Sequence, residues 1–157
     1  VGELEGVEAR SPGPPEVRID LPVDAHLPDD YVPAQQLRLE AYRRLALATT
    51  HPEVDDVAAE WEDRYGPLPQ AATALMDIAR LRVEALRVGL TELVKLRREV
   101  RLAPVDLTPS QEVRLQRLAR RAVLKAHQGA LFLPAPPEGK LVAGLIGFLR
   151  EMWPEEP

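Results

Sequence analysis

Three carboxylates, Asp56, Glu60 and Asp63, stand four and three residues apart in the stretch DDVAAEWEDRYGPLP. At about 100° per residue that spacing puts them along one side of a helix. Val54, Val57, Ala58, Trp61 and Tyr65 cluster within about 100° on the opposite side. A line of carboxylates can accept bidentate arginines or, where burial raises a pKa, transfer protons. On a solvated face nothing drives the second chemistry. The line is also not favourable for the helix. Each like-charged pair costs about 0.2–0.5 kcal/mol, and Asp63 sits near the carboxyl end, where the helix dipole disfavours an acid. Three readings remain: a solvated charged face, pairing of Asp63 with Arg43 or Arg44 of the same domain, or docking of a partner's basic patch onto Asp56, Glu60 and Asp63.

Other chemistry is hard to find. The stretch EGKL at Glu138–Leu141 pairs Gly with Lys, but Leu141 replaces the Ser or Thr of a phosphate loop, and Pro134 replaces its first Gly. His26, His51 and His127 have no metal-ligand spacing. There is no cysteine, hence no thiolate nucleophile, thiolate metal site or disulfide. The expectation is a non-catalytic chain with no cofactor and no metal site. A rival to the docking face is a phosphate-contacting surface. Lys95, Arg97 and Arg101 are placed on one face of a hairpin, with Arg114, Arg117, Arg120 and Arg121 in the helix that follows. Against it, aromatic residues for base stacking are scarce there.

The formal net charge of −5 conceals a segregation. Residues 1–66 carry 15 acids and 6 bases, whereas residues 80–125 carry 5 acids and 12 bases. Separated charge of this kind marks interaction surfaces more often than catalytic ones. At 157 residues the chain suits one domain plus a tail. It opens on Val rather than Met, which suggests a piece of a larger protein. No apolar run is long enough to span a bilayer, and a cytoplasmic location is expected.

The elements that must position these residues follow from periodicity. Residues 1–16 read as a Pro/Gly linker. Val17–Leu21 alternates as a short strand. Helices are expected at about Ala34–Thr49, from about Pro52 to Gly66, and at about Pro69–Val88. The last is apolar most of the way round and therefore central. Its narrow polar strip, Thr73, Asp77, Arg80, Glu84 and Arg87, reads as solvated. Arg82 projects from its apolar side, as an internal ion-pair or carbonyl-capping residue. Tyr65, Gly66, Pro67, Leu68 and Pro69 set a sharp corner, with Gly66 as a left-handed stop. Hairpins are expected to turn near Arg97–Glu99 and His127–Gly129. Between them lies a helix opened by the capping box Thr108-Pro-Ser-Gln111, and a helix at about Glu138–Trp153 closes the chain. Trp61 and Trp153 are expected as core anchors. The fold class is α+β: a helical first part, two antiparallel hairpins and a closing helix. Whether the hairpins and the Val17 strand share one sheet is left open.

The runs LPDDYVP, LRLEAYRRLA, EDRYGPLP and LMDIARLR occur in this order, and with them the chain resembles the carboxyl-terminal domain of bacterial transcription-repair coupling factors (Mfd). The most specific element is Asp63-Arg64-Tyr65-Gly66-Pro67-Leu68-Pro69. The resemblance covers about Val17 to Trp153. It implies a regulatory domain at residues 17–157, linked by residues 1–16 to the motor of an ATP-driven DNA translocase. That parent would displace stalled RNA polymerase and recruit the excision-repair protein UvrA. The domain would pack on the parent's UvrB-like module, mask the UvrA-binding surface and so hold the resting state. Asp56, Glu60 and Asp63 would then meet arginines of that module.

Overall fold

The computed structural model describes residues 16–155. The expected linker lies outside the described residues, apart from Glu16. Strand β1 (Arg18–Asp20) leads through an extended segment to helices α1 (Gln35–Ala46), α2 (His51–Tyr65) and α3 (Gln70–Val88). Strands β2 (Glu92–Leu96) and β3 (Glu99–Ala103) form the first hairpin, and helix α4 (Pro109–Leu118) follows. Strands β4 (Val123–Lys125) and β5 (Ala130–Pro134) form the second hairpin, and helix α5 (Leu141–Met152) closes the fold. The strands make one five-stranded sheet in the order β1-β2-β3-β5-β4. β1 runs parallel to β2, and all other pairs are antiparallel. The class is α+β, as the pattern of elements implied.

Local chemistry explains the boundaries. Thr50 caps α2: its side chain accepts from the Glu53 N–H, and Glu53 Oε1 accepts from the Thr50 N–H at 3.1 Å. These bonds to Thr49 and Thr50 hold the Glu53 carboxyl below its ordinary range. Thr108 and Gln111 form the same reciprocal box at α4. Gly89 ends α3 in the left-handed region (φ 86°, ψ 17°). Gly66 also has positive φ, but its ψ of −174° is extended, so the expected left-handed stop is not what it adopts. The closing helix begins three residues later than expected, because Pro137–Lys140 turns instead, with the Lys140 N–H donating to the Pro137 carbonyl at 2.9 Å.

Two hydrophobic cores lie on either side of α3. One joins Leu81 and Ala85 of α3 to the inner sheet residues Leu93, Val100, Leu102, Leu131 and Leu133 and to Leu145, Leu149 and Met152 of α5. The other joins Ala72, Met76, Ala79 and Val83 of α3 to Leu45 of α1 and Val54, Val57 and Trp61 of α2. Trp61 is buried as expected; Trp153 is half-buried and packs edge-on against Phe148. With both flanks of α3 covered, only a narrow strip remains for polar residues.

That strip is not solvated throughout, and the expectation for Glu84 is corrected. Its side chain is 1% exposed, at the seam where α2, α3 and α5 meet. Glu84 Oε2 lies 2.5 Å from His51 Nε2 and 3.7 Å from Arg150 Nε. Glu84 Oε1 accepts from Arg87 Nη2 at 3.0 Å and Nε at 3.1 Å. Arg87 also donates to the Trp153 carbonyl at 2.6 Å, which ties down the end of α5. Arg80, on the same strip, reaches Asp55 of α2 at 2.7 Å. Burial would raise the Glu84 pKa; the bonds from His51 and Arg87 and the Arg150 charge outweigh it and hold the carboxyl below its ordinary 4.5. A depressed folded-state pKa contributes stability that is present above the unfolded value and lost as pH falls through the folded one. Glu84→Gln is therefore expected to destabilise the chain by about 2–4 kcal/mol near neutral pH. In urea unfolding followed by circular dichroism, the gap between wild type and variant should narrow as pH falls below about 4.5.

Candidate docking face

Helix α2 turns Val54, Val57 and Trp61 into the core. Measured from Val54 at about 100° per residue, Asp56 and Asp63 fall near 180–200°, straight outward, and Glu60 falls near 240°, on the flank facing α1. The contacts follow this geometry. Arg44 Nε of α1 lies 2.8 Å from Glu60 Oε1, an ion pair, and Arg64 Nη1 lies 3.9 Å from Glu60 Oε2. On the other flank Asp55 takes Arg80. Asp56 and Asp63 are exposed, and among the described residues neither has a base within ion-pair distance. The considered pairing of Asp63 with Arg43 or Arg44 does not occur; Arg44 is taken by Glu60. The stripe thus divides into two outward carboxylates and one already engaged within the fold.

The corner after α2 fixes where this face points. Tyr31 Oη donates toward the Gly66 carbonyl at 2.7 Å and lies 3.2 Å from the Trp61 carbonyl. Burial, then the nearby Glu62 and Tyr65, raise the Tyr31 pKa, so the phenol stays a donor. Tyr31 and Tyr65 meet edge-on at 5.7 Å, and the Arg64 guanidinium lies 5.2 Å from the Tyr65 ring centroid. Leu68 packs on the helical core, while Pro69 caps the amino end of α3 in extended conformation. Arg82 Nη2 donates to the Leu45 and Ala48 carbonyls at 2.7 and 2.9 Å. The Leu45 carbonyl also accepts from the Ala48 N–H at 3.1 Å; by capping this end of α1, Arg82 holds α1, and with it Arg44, against α3.

The basic residues do not form the single surface expected of them. Register pairs Lys95 with Val100 and Val94 with Arg101, so Lys95 and Arg101 lie on opposite faces of the first hairpin. Lys95 Nζ donates to the Arg97 carbonyl in the turn, and Arg101 Nη1 pairs with Glu92 at 2.5 Å. Arg114 is spent on the Met152 carbonyl at 2.9 Å. Arg117, Arg120 and Arg121 remain exposed. The residues that sequence reasoning missed are His51, Glu84 and Arg150. No local pattern marks them, because 33 and 99 residues separate His51 from its two partners.

The described residues thus form five α-helices and one mixed five-stranded sheet, with two outward, exposed carboxylates on α2. Residues 21–118 match the family described as the TRCF domain. The transcription-repair-coupling factors of Mycobacterium bovis and Mycobacterium tuberculosis are each 46% identical over 134 residues, which is 85% of this chain and 11% of theirs. That of Escherichia coli is 40% identical over 78 residues, 50% of this chain and 7% of the relative. The chain belongs to the transcription-repair coupling factor family and spans about a tenth of the length of these relatives. Its fold matches a crystal structure of the C-terminal domain of transcription-repair coupling factor, with a TM-score of 0.75 and 16% identity over 88% of this chain and 92% of that one.

Two outcomes follow for the face. In a double-mutant cycle on Arg44→Ala and Glu60→Gln, the coupling should be about 0.2–1 kcal/mol, the range of a half-exposed pair. Tyr31→Phe, which leaves the Gly66 carbonyl without its donor, should cost about 1 kcal/mol in thermal or urea unfolding.

Proposed function

We propose that this chain is a regulatory, non-catalytic domain that restrains its parent by docking the α2 face onto an arginine-bearing surface of the same protein. The observation that carries this is the pair Asp56 and Asp63, exposed on the outward line of α2 and, among the described residues, without a base within ion-pair distance. Each offers a full carboxylate to a bidentate guanidinium. Glu60 contributes through the lone pairs that Arg44 leaves open. Family membership supplies the context. The parent would be the cytoplasmic bacterial translocase that displaces stalled RNA polymerase with ATP and recruits excision repair. The docking partner would be its UvrB-like module, and the consequence would be a masked UvrA-binding surface.

An interface of this kind has to release. Exposed carboxylates meeting arginines give a modest contact that salt and competing partners weaken. A restraining contact needs to hold a resting state by only a few kcal/mol. The nucleic-acid reading has less support, since the bases between Lys95 and Arg121 disperse over several faces and three of them are already engaged.

The test is charge reversal, Asp56→Lys with Asp63→Lys, in the full-length parent. Capture of purified UvrA and basal ATP hydrolysis should both rise several-fold. Restoration is expected when an arginine of the UvrB-like module is changed to Glu. Resting levels of both readouts in the reversed protein would end the proposal.

A further inference from the structure

On the sheet side of the molecule, a groove of about 430 Å³ lies between the end of α4, strand β5 and α5. Its floor is apolar: Leu118, Ala119, Leu133, Leu145 and Phe148. One wall is the turn at Pro134–Pro136, and that wall is fixed. A Cβ on Gly144 would sit 2.8 Å from Pro136 Cβ and Cγ, so the proline rests directly on the α5 backbone. The mouth carries Arg117, Arg120 and Arg121, all exposed. Among the described residues none of the three has a carboxylate within ion-pair distance or a hydrogen-bonded acceptor. Their neighbour Arg114 shows the contrast, since the Met152 carbonyl takes it.

Helix stability accounts for part of this charge only. Arg117 lies in the last turn of α4, where a cation favours the dipole, but Arg120 and Arg121 lie beyond the helix end. The three guanidiniums at one rim are free to pair with an anionic occupant, and the apolar floor specifies more than charge. A nucleic-acid backbone would satisfy the guanidiniums and leave the part-exposed Leu118 and Phe148 uncovered, and the aromatic side chains that stack single-stranded bases are represented here by Phe148 alone. A carboxylate-rich peptide with one large side chain satisfies both parts. Its acids meet the arginine forks, and its apolar residue fills the groove as an anchor.

We propose that this groove binds a short acidic peptide segment of a partner protein through a single large apolar residue flanked by Asp or Glu. The surface is separate from the α2 face, which belongs to the other core and carries the opposite charge, so the inference does not depend on the proposed clamp.

The test is fluorescence anisotropy on the 157-residue chain with three labelled probes. One is a peptide of about 12 residues, Asp- and Glu-rich around one Phe. The second has that Phe changed to Ser, and the third is a single-stranded oligonucleotide of similar length. The Phe peptide should bind with a Kd on the order of 10 µM. The Ser peptide and the oligonucleotide should each bind at least tenfold more weakly. Arg117→Ala with Arg120→Ala and Arg121→Ala, all at exposed positions, should keep the circular dichroism spectrum and lose at least tenfold in affinity for the Phe peptide. Equal binding of both peptides, preference for the oligonucleotide, no binding of the Phe peptide, or a folded triple variant that binds as tightly as wild type would each overturn the proposal.

Discussion

Helix α3 is the constraint from which the rest follows. It serves two hydrophobic cores at once, with Ala72, Met76, Ala79 and Val83 facing one and Leu81 and Ala85 facing the other. A helix buried on both flanks has little room for charge, and the charge it does carry must be matched. Glu84 is matched by His51 from α2, Arg87 from its own helix and Arg150 from α5. Arg82 is matched by two carbonyls at the end of α1. These polar contacts therefore do what apolar packing does not: they fix how the helical half and the sheet half are oriented about their common helix.

The two charged surfaces depend on this arrangement. The α2 face looks away from α3 because Val54, Val57 and Trp61 point toward it, which leaves Asp56 and Asp63 as far from the core as helix geometry allows. The arginine-mouthed groove lies beyond the sheet, where α4 and α5 meet β5. The segregation of acids and bases along the sequence is thus kept in space, as two separate faces on the two cores. Arg80–Asp55 joins α3 to α2 within the helical half, whereas Glu84 takes both His51 from that half and Arg150 from the sheet half.

Much of the fold was legible from periodicity and end signals. The capping box at Thr108, the stop at Gly89 and both hairpin turns are local features, and local chemistry decides them. The signal Thr50-x-x-Glu53 was equally available and marks the start of α2 more sharply than Pro52 does. What periodicity could not give was set by distant contacts. β1 joins the sheet edge beside β2 only after the chain has passed through three helices. Glu84 sits in the same 4-and-3 spacing as the exposed Asp77, and nothing within four residues distinguishes the two. The stripe on α2 was visible in full, but its division was not. A rotation of about 40–60° puts Glu60 in reach of Arg44, and only the placement of α1 decides that.

The two-core plan also bears on how the molecule comes apart. α1 and α2 bury their apolar faces against each other, Leu27 and Val32 of the preceding segment, and one flank of α3, while the sheet and α5 close over the opposite flank. The first two helices can therefore peel away in a partial opening that leaves the sheet intact, with α3 the last element to lose protection in both halves. A domain divided in this way can alter one charged surface by local melting while the other keeps its shape.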